Sequence, residues 1–491
     1  MTSKDMITMN LAKNAKRRLL ALACAFLPLV AHAGASCSVF ISSDTILTQA
    51  FDWAQKMALS YAHDGGDPVG AWYEAALPGR EAFCMRDVSH QAIGAHLLGL
   101  SRHNKNMMQR FAGNVSAKRD WCSFWEINRY ARPCPADYVS DSSFWYNLNA
   151  NFDVLVSCLK LYQWTGDADY VRKLPFRRFY EVTTHEYVDR WRLRPSQLMC
   201  RPAVLNDRVP ASVHDPFRAR RGIPSYTEGI DGLTMSADLV AVMYAAFRAY
   251  ALVCRYGGQT EKADSASNQA ECYRQHLNDK WWNSHEQVYE TLLTDQGFSS
   301  SRPGIEFLLQ YGAVSDSARI ASCLDHFESR SSAIELLSYQ PLLLFTYGRP
   351  AAAERLVAEL PKMARASYPE VSFAIVEGLV GGLMGLQPDY TTHSLQTAYR
   401  GMGEKTAEVR NMPLWGSTIS VKHWGHRATR LVNTTGYKIS WTARFKGHHK
   451  KLWVNGKPRS ATNDMDIMHR SWSEVTVEVP ANQSIIIQSQ P

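Results

Sequence analysis

Tyr162-Gln163-Trp164-Thr165-Gly166-Asp167 closes one apolar helical run and opens the next. Before it, residues 148–164 carry apolar side chains three and four apart, and the same period resumes over 167–189. Equally short Gly, Asp or Pro connections recur at Tyr256-Gly257-Gly258 and Tyr347-Gly348-Arg349-Pro350. Working outward, the helical period runs from about residue 42 to 386 and predicts helices over 42–62, 87–100, 101–113, 148–164, 167–189, 235–257, 258–282, 303–313, 315–328, 332–347, 349–364 and 370–386. Those twelve helices make six pairs. Longer irregular stretches at 115–147, 190–232 and 283–302 alternate with the short turns, so the pattern predicts a closed ring of hairpins whose long loops build a site at one face.

After Pro388 the period changes. Thr418-Ile419-Ser420-Val421, Lys438-Ile439-Ser440-Trp441-Thr442-Ala443, Val475-Thr476-Val477-Glu478-Val479 and Ser484-Ile485-Ile486-Ile487 are β-branched, alternating runs. Asn455-Gly456 after Trp453-Val454 is a hairpin turn signal, because both residues tolerate positive φ. The tail therefore reads as an antiparallel β-sandwich. The expected division is a signal peptide over 1–33, a helical barrel over 34–388 and a β domain over 389–491.

The N-terminal assignment rests on Lys13, Lys16, Arg17 and Arg18, the apolar run Leu19 to Val30, and Ala31-His32-Ala33 as a cleavage site. The implied location is periplasmic or secreted, with no membrane span. The 491-residue chain is 45% hydrophobic and 20% charged, which excludes a disordered or fibrous protein. Its formal charge of +8 falls to +4 without residues 1–33, which hold five cations and Asp5, so a nucleic-acid role loses most of its electrostatic motive. No P-loop or dinucleotide fingerprint is present. Nine cysteines remain beyond Cys24, an odd number; Cys122 and Cys134 are the expected local disulfide, and none of the spacings resembles a zinc site. No cofactor or metal is expected.

The Tyr162 to Asp167 turn resembles the recurrent hairpin turn of the six-hairpin glycosidases, the (α/α)6-barrel carbohydrate enzymes. Leu277-Asn278-Asp279-Lys280-Trp281-Trp282-Asn283 followed by Val288-Tyr289-Glu290 is similar to the point where a barrel helix of that clan ends in Trp and a small hairpin starts. A helical barrel followed by a β-sandwich resembles the α-L-rhamnosidase branch. Cys84-Met85-Arg86-Asp87 is similar to the rhamnosidase signature Asp-Cys-Pro-x-Arg-Glu, although Phe83 replaces the first Asp, Met85 precedes the Arg and the acid is one methylene shorter. The resemblance implies that Asp87 is the general acid, with Arg86 and His90 at the substrate. Read without the family, Asp87 at a helix N-terminus is also a good cap.

Glycoside hydrolysis needs a second carboxyl, and a ring of hairpins gathers distant loops at one mouth. Glu370 in Tyr368-Pro369-Glu370 opens the last barrel helix, about where the rhamnosidases keep their late catalytic Glu. It is the expected base, though the helix dipole alone also favours an acid there. Glu228 and Asp231 in the glycine-flanked loop 224–232, Glu306, Glu377 and Asp141 compete for catalytic or hydroxyl-binding roles. Trp125 and Trp145 are the expected flat platforms for a sugar. Arg218, Arg220 and Arg221 offer bidentate contacts to an acidic sugar.

The sequence thus predicts an exported, exo-acting, inverting glycoside hydrolase acting on a terminal rhamnosyl or uronic acid residue of an oligosaccharide or polysaccharide. Two alternatives stand beside it: a polysaccharide lyase using Tyr226, His214 and Arg221, and a periplasmic glycan-binding protein without activity.

Overall fold

In the computed structural model, which describes residues 37–204, 221–330 and 332–490, Thr165-Gly166-Asp167 makes a complete turn from its own side chains. Gly166 takes the left-handed conformation (φ 72°) that ends the helix, and a Cβ there would lie 2.6 Å from the Tyr390 ring. Thr165 Oγ1 accepts the Asp167 amide at 3.0 Å, and Asp167 Oδ1 accepts the Asp169 amide at 3.0 Å, opening the next helical segment.

Twelve principal helices follow the expected alternation: α1 (Thr45–Ser60), α2 (Met85–Leu97), α3 (Ser101–Gly113), α4 (Asn149–Thr165), α5 (Leu174–Thr184), α6 (Ala237–Tyr256), α7 (Thr260–Lys280), α8 (Glu306–Gln310), α9 (Ser317–Glu328), α10 (Ile334–Tyr347), α11 (Pro350–Glu359) and α12 (Pro369–Glu377). The even-numbered helices pack in the order α2, α4, α6, α8, α10, α12 and back onto α2, which closes an inner ring. Each odd-numbered helix packs outside, so the fold is an (α/α)6 barrel. Composition decides which helix goes where. On α4 nearly every residue from Asn149 to Tyr162 is buried, whereas α7 buries only the stripe Ala263, Ala266, Ala270, Tyr273 and Leu277. Among the described residues one helix, α6, is long and apolar enough to cross a membrane, and its inner-ring position buries most of it.

The structure departs from the expected spans in three places. The predicted 167–189 helix is broken into Asp169–Arg172, α5 and Glu186–Arg190; Pro175 restarts it in the first turn of α5. The last helix is regular only to Glu377, beyond which Gly378–Leu383 widens into a π-turn. Helix α1 starts at Thr45 behind the Asp44 cap, while Val39–Ser42 is a strand that pairs with Thr406–Leu414. The segment assigned to the barrel therefore lends its first strand to the distal sheets.

Those sheets contain seven and five strands. Ser417–Trp424 and Ile439–Lys446 alternate buried with half-exposed residues, and their inward faces, including Ile419, Val421, Trp441 and Phe445, join the common core. One pair, Ser394–Ala398 with Ile439–Lys446, is parallel, a departure from the all-antiparallel expectation. Asn455 (φ 48°) and Gly456 (φ 77°) form the two-residue turn between Lys451–Val454 and Lys457–Ser460. Two buried histidines fasten the β region to the barrel: His96 Nε2 meets the Pro413 carbonyl at 3.1 Å and His423 Nε2 meets that of Met384 at 3.1 Å. Burial lowers each to about 4, so both are neutral at physiological pH.

Candidate active site

The first turns of α2, α8, α10 and α12 carry Asp87, Glu306, Glu335 and Glu370, and all four residues line one cavity of about 670 Å3. The opposite ends of α4, α8, α10 and α12 open toward the β region instead. Inner helices that start at one mouth collect acidic first-turn residues there. Their N-terminal dipoles favour negative charge while burial opposes it.

Asp87 and Glu370 are each 2% exposed. The short strand Ala82–Cys84 feeds directly into α2 and pairs with Glu126–Asn128, while the Met85 amide donates to the Trp125 carbonyl at 2.9 Å, so the start of α2 is held from two sides. Asp87 Oδ2 accepts from the Tyr368 hydroxyl at 3.1 Å and Oδ1 lies 3.4 Å from Arg86 Nε. Burial raises the Asp87 carboxyl, and Arg86 and then His90 pull it part of the way back. Glu370 is held well above the usual carboxylate range, first by burial and then by the charge of Asp87, with Arg86 opposing. Its Oε1 makes no hydrogen bond among the described residues. Two buried carboxyls thus stand near one guanidinium, Arg86, and burial favours the protonated form of each.

The other predicted residues divide between cavity and framework. Trp125 lines the cavity, with the Arg86 guanidinium 5.7 Å from its ring centroid. Trp145 packs behind it at 4.4 Å between centroids and does not reach the cavity. Glu306 lines the cavity with Oε1 accepting from Gln340 Nε2 at 3.0 Å, and Glu228 stands exposed at the rim. Asp231 is exposed in the turn before Leu233–Ser236 and lies off the cavity. Asp141 is committed to Arg119 at 2.7 Å and the Tyr138 hydroxyl at 2.6 Å. Arg221 is buried against Asp120 at 2.8 Å and serves the loop framework rather than a ligand. Glu377 lies at the other end of α12. His90 stands behind Glu370 rather than on the cavity wall. His214, Arg218 and Arg220 fall outside the described residues. Cys122 and Cys134 are both free thiols, so the expected disulfide is absent.

Sequence reasoning missed a polar layer beneath the two carboxyls. Asp153, on the inner face of α4, accepts from the hydroxyls of Tyr226 at 2.5 Å and Tyr311 at 2.6 Å. Asp238 at the start of α6 takes the Ser225 hydroxyl at 2.8 Å and the Asn149 amide at 3.0 Å, fixing the Tyr226 loop; burial raises it to about 6. Glu126, following Trp125, shares Arg80 with Asp137 at 2.9 and 3.1 Å. One signal was available. An Asp inside Phe152-Asp153-Val154-Leu155, on a helix otherwise apolar all round, is costly unless built-in partners meet it.

A barrel of six helical hairpins with buried carboxyls at one mouth, followed by a β-sandwich, is the six-hairpin glycosidase fold. No known protein-family profile matches the chain, and no curated protein sequence matches it. Solved structures do match. An α-L-rhamnosidase from Dictyoglumus thermophilum aligns with TM-score 0.62 at 12% identity over 92% of this chain and 50% of that one. A GH78 family rhamnosidase of Bacillus sp. GL1 gives 0.55 at 12% over 82% and 41%, and a putative kojibiose phosphorylase from human microbiome gives 0.54 at 10% over 90% and 63%. The chain thus spans half or less of the two rhamnosidases it resembles in fold.

Proposed function

We propose that the protein is a glycoside hydrolase whose catalytic carboxyls are Asp87 and Glu370. The observation that carries this reading is the burial of these two distant acids at one cavity that Arg86 also lines. The reaction needs one carboxyl to protonate the departing oxygen and one to activate water from the other side of the sugar. The motif resemblance gives the donor role to Asp87 and the base role to Glu370, with inversion at the anomeric carbon. After donation the Asp87 carboxylate is met by Arg86 and the Tyr368 hydroxyl, which drives protonation of the leaving group. Trp125 supplies a flat face for the ring. A cavity of about 670 Å3 walled by helix ends suits recognition of a terminal sugar, and rhamnosyl or uronosyl residues are the first candidates. Export from the cell, by way of residues 1–33, belongs to the same proposal.

A second assignment of roles has its own support. Arg86 and Tyr368 both favour charge on Asp87, while burial and the charge of Asp87 hold Glu370 well above the usual carboxylate range, which makes Glu370 the alternative donor. Leaving-group chemistry separates the two. On aryl glycosides, with rhamnoside and glucuronide tried first, the variant lacking the donor keeps much of its activity with a dinitrophenyl leaving group and loses it with a poor one. The variant lacking the base loses activity with both. If D87N and E370Q each act as well as the parent on every glycoside, the proposal fails and a glycan-binding role takes its place. A lyase is disfavoured because the Tyr226 hydroxyl is committed to Asp153 and Tyr311, and Arg221 to Asp120. Absence of an unsaturated uronate product tests that point.

A further inference from the structure

His90 lies one turn beyond Asp87 on α2, with a side chain only 7% exposed. Its Nδ1 is 2.9 Å from the Tyr339 hydroxyl and 3.8 Å from Glu370 Oε1, and its Nε2 is 3.2 Å from the Tyr311 hydroxyl and 3.6 Å from Asp153 Oδ1. Tyr339 also faces Glu370, where its hydroxyl favours the ionised carboxylate. The groups therefore form a chain running from Glu370 through Tyr339, His90 and Tyr311 to Asp153, which is buried at the centre of the barrel.

One set of donor directions wires this chain from end to end, with the Tyr226 and Tyr311 hydroxyl oxygens themselves 2.7 Å apart. A carboxylate only accepts, so the Tyr226 and Tyr311 hydroxyls both spend their protons on Asp153 Oδ1. Tyr311 then has only an acceptor left for His90, which requires a proton on Nε2. With a neutral imidazole, Nδ1 is an acceptor and takes the Tyr339 proton, which leaves Glu370 Oε1 without a donor, as the structure has it. If Tyr339 turns its proton to an ionised Glu370 while Nε2 keeps its own, Nδ1 carries a proton too and the ring becomes an imidazolium.

We infer that His90 is a positioning residue that accepts the proton of Glu370 through Tyr339 and holds it against Asp153. In the transfer the Glu370 O–H bond breaks as its proton bonds to the Tyr339 oxygen, while the Tyr339 O–H bond breaks as its proton bonds to His90 Nδ1. A neutral acid and neutral imidazole become a carboxylate and an imidazolium, with no other reactant. The carboxyls that act on the ring are Asp87 from α2, Asp153 from α4, and Glu370 and Glu377 from α12, with Arg86 beside Asp87. The inference rests on Glu370 being a working carboxyl and is indifferent to whether Glu370 is donor or base.

The test is NMR of the mature protein labelled with 15N-histidine and 13C-carboxyl glutamate, titrated without substrate. The expected result is that the two sites share one proton over the neutral range, the Glu370 carboxyl giving a carboxylate shift to the same extent that His90 Nδ1 is protonated, and that Y339F removes this correspondence. In kinetics, Y339F and H90Q should shift the Glu370 limb of the kcat profile by about a unit or more, with KM at the optimum changed less than about threefold. A His90 whose Nδ1 is unprotonated while the Glu370 carboxyl is ionised overturns the inference even if the enzyme is an active glycosidase. An observed coupled titration in a protein without glycosidase activity would leave this wiring standing while the proposed function fell.

Discussion

Gly94 is where the two helices that carry Asp87 and Glu370 touch. A Cβ at this position would sit 2.2 Å from the Phe373 carbonyl oxygen, 2.8 Å from its carbon and 3.0 Å from its Cα. All three atoms are backbone of α12, so no side chain can turn away. Restoring the 3.4 Å of ordinary contact needs about 1.2 Å of separation between α2 and α12. In G94A, overpacking of this kind costs about 1–3 kcal/mol, and the better helix propensity of alanine returns up to about 1 kcal/mol. Because the clash is with main chain, the upper part of the range applies, for a net loss of about 2 kcal/mol. Asp87 lies two turns before Gly94 and Glu370 three residues before Phe373, so the same movement separates the carboxyls. A displacement near 1 Å costs on the order of 100-fold in rate. Denaturant unfolding and kcat on an aryl glycoside read the two effects. A G94A protein as stable as the parent, with kcat within about twofold, would refute this helix contact as the element that sets the carboxyl geometry.

Trp125→Ala should raise KM about tenfold, through loss of the ring face and of the stacked Arg86, whereas Trp145→Ala, which removes buried support, should cost about 3–5 kcal/mol of stability with a smaller effect on KM; Michaelis kinetics and unfolding curves on both variants check the contrast. Glu126 is raised to about 8, first by burial and then by Asp137, with Arg80 opposing. Its folded-state value lies above its unfolded one, so its contribution to stability is complete below about pH 4.3 and is lost as pH rises through about 8. Glu126→Gln should flatten the fall in unfolding midpoint between about pH 5 and pH 8, and parallel falls in parent and variant would count against it. Gly456→Ala places a side chain at φ 77° in a two-residue turn and should cost about 1 kcal/mol with activity intact, by the same unfolding measurement.

The ring of hairpins was legible because its signals are local. Thr165-Gly166-Asp167 carries its own cap and turn, Tyr347-Gly348-Arg349-Pro350 ends one helix in a left-handed glycine and starts the next on a proline, and Asn455-Gly456 can hardly be anything but a tight turn. Asp87 and Glu370 stood out because each opens a helix after a distinctive tripeptide. Residues 39–41 were read inside no element, and Ser42 as the start of a helix, because the strand's partner lies more than 360 residues away and no local pattern records such a pairing. Tyr311 and Tyr339 escaped notice for another reason. A tyrosine on an apolar helical face looks like core until the structure shows where its hydroxyl points. Asp141, Trp145 and Arg221 carried chemistry-bearing side chains in the right loops, yet Arg119, Trp125 and Asp120 occupy them.

The central claim is that Asp87 and Glu370 act as one catalytic unit, and the rate of the double variant tests it most directly. Residues that work together are non-additive, so with a poor leaving group D87N, E370Q and the double variant should all fall by a similar factor, on the order of 1,000-fold or more. Single variants that retain the parent rate, or two modest losses that simply multiply in the double variant, would contradict the account.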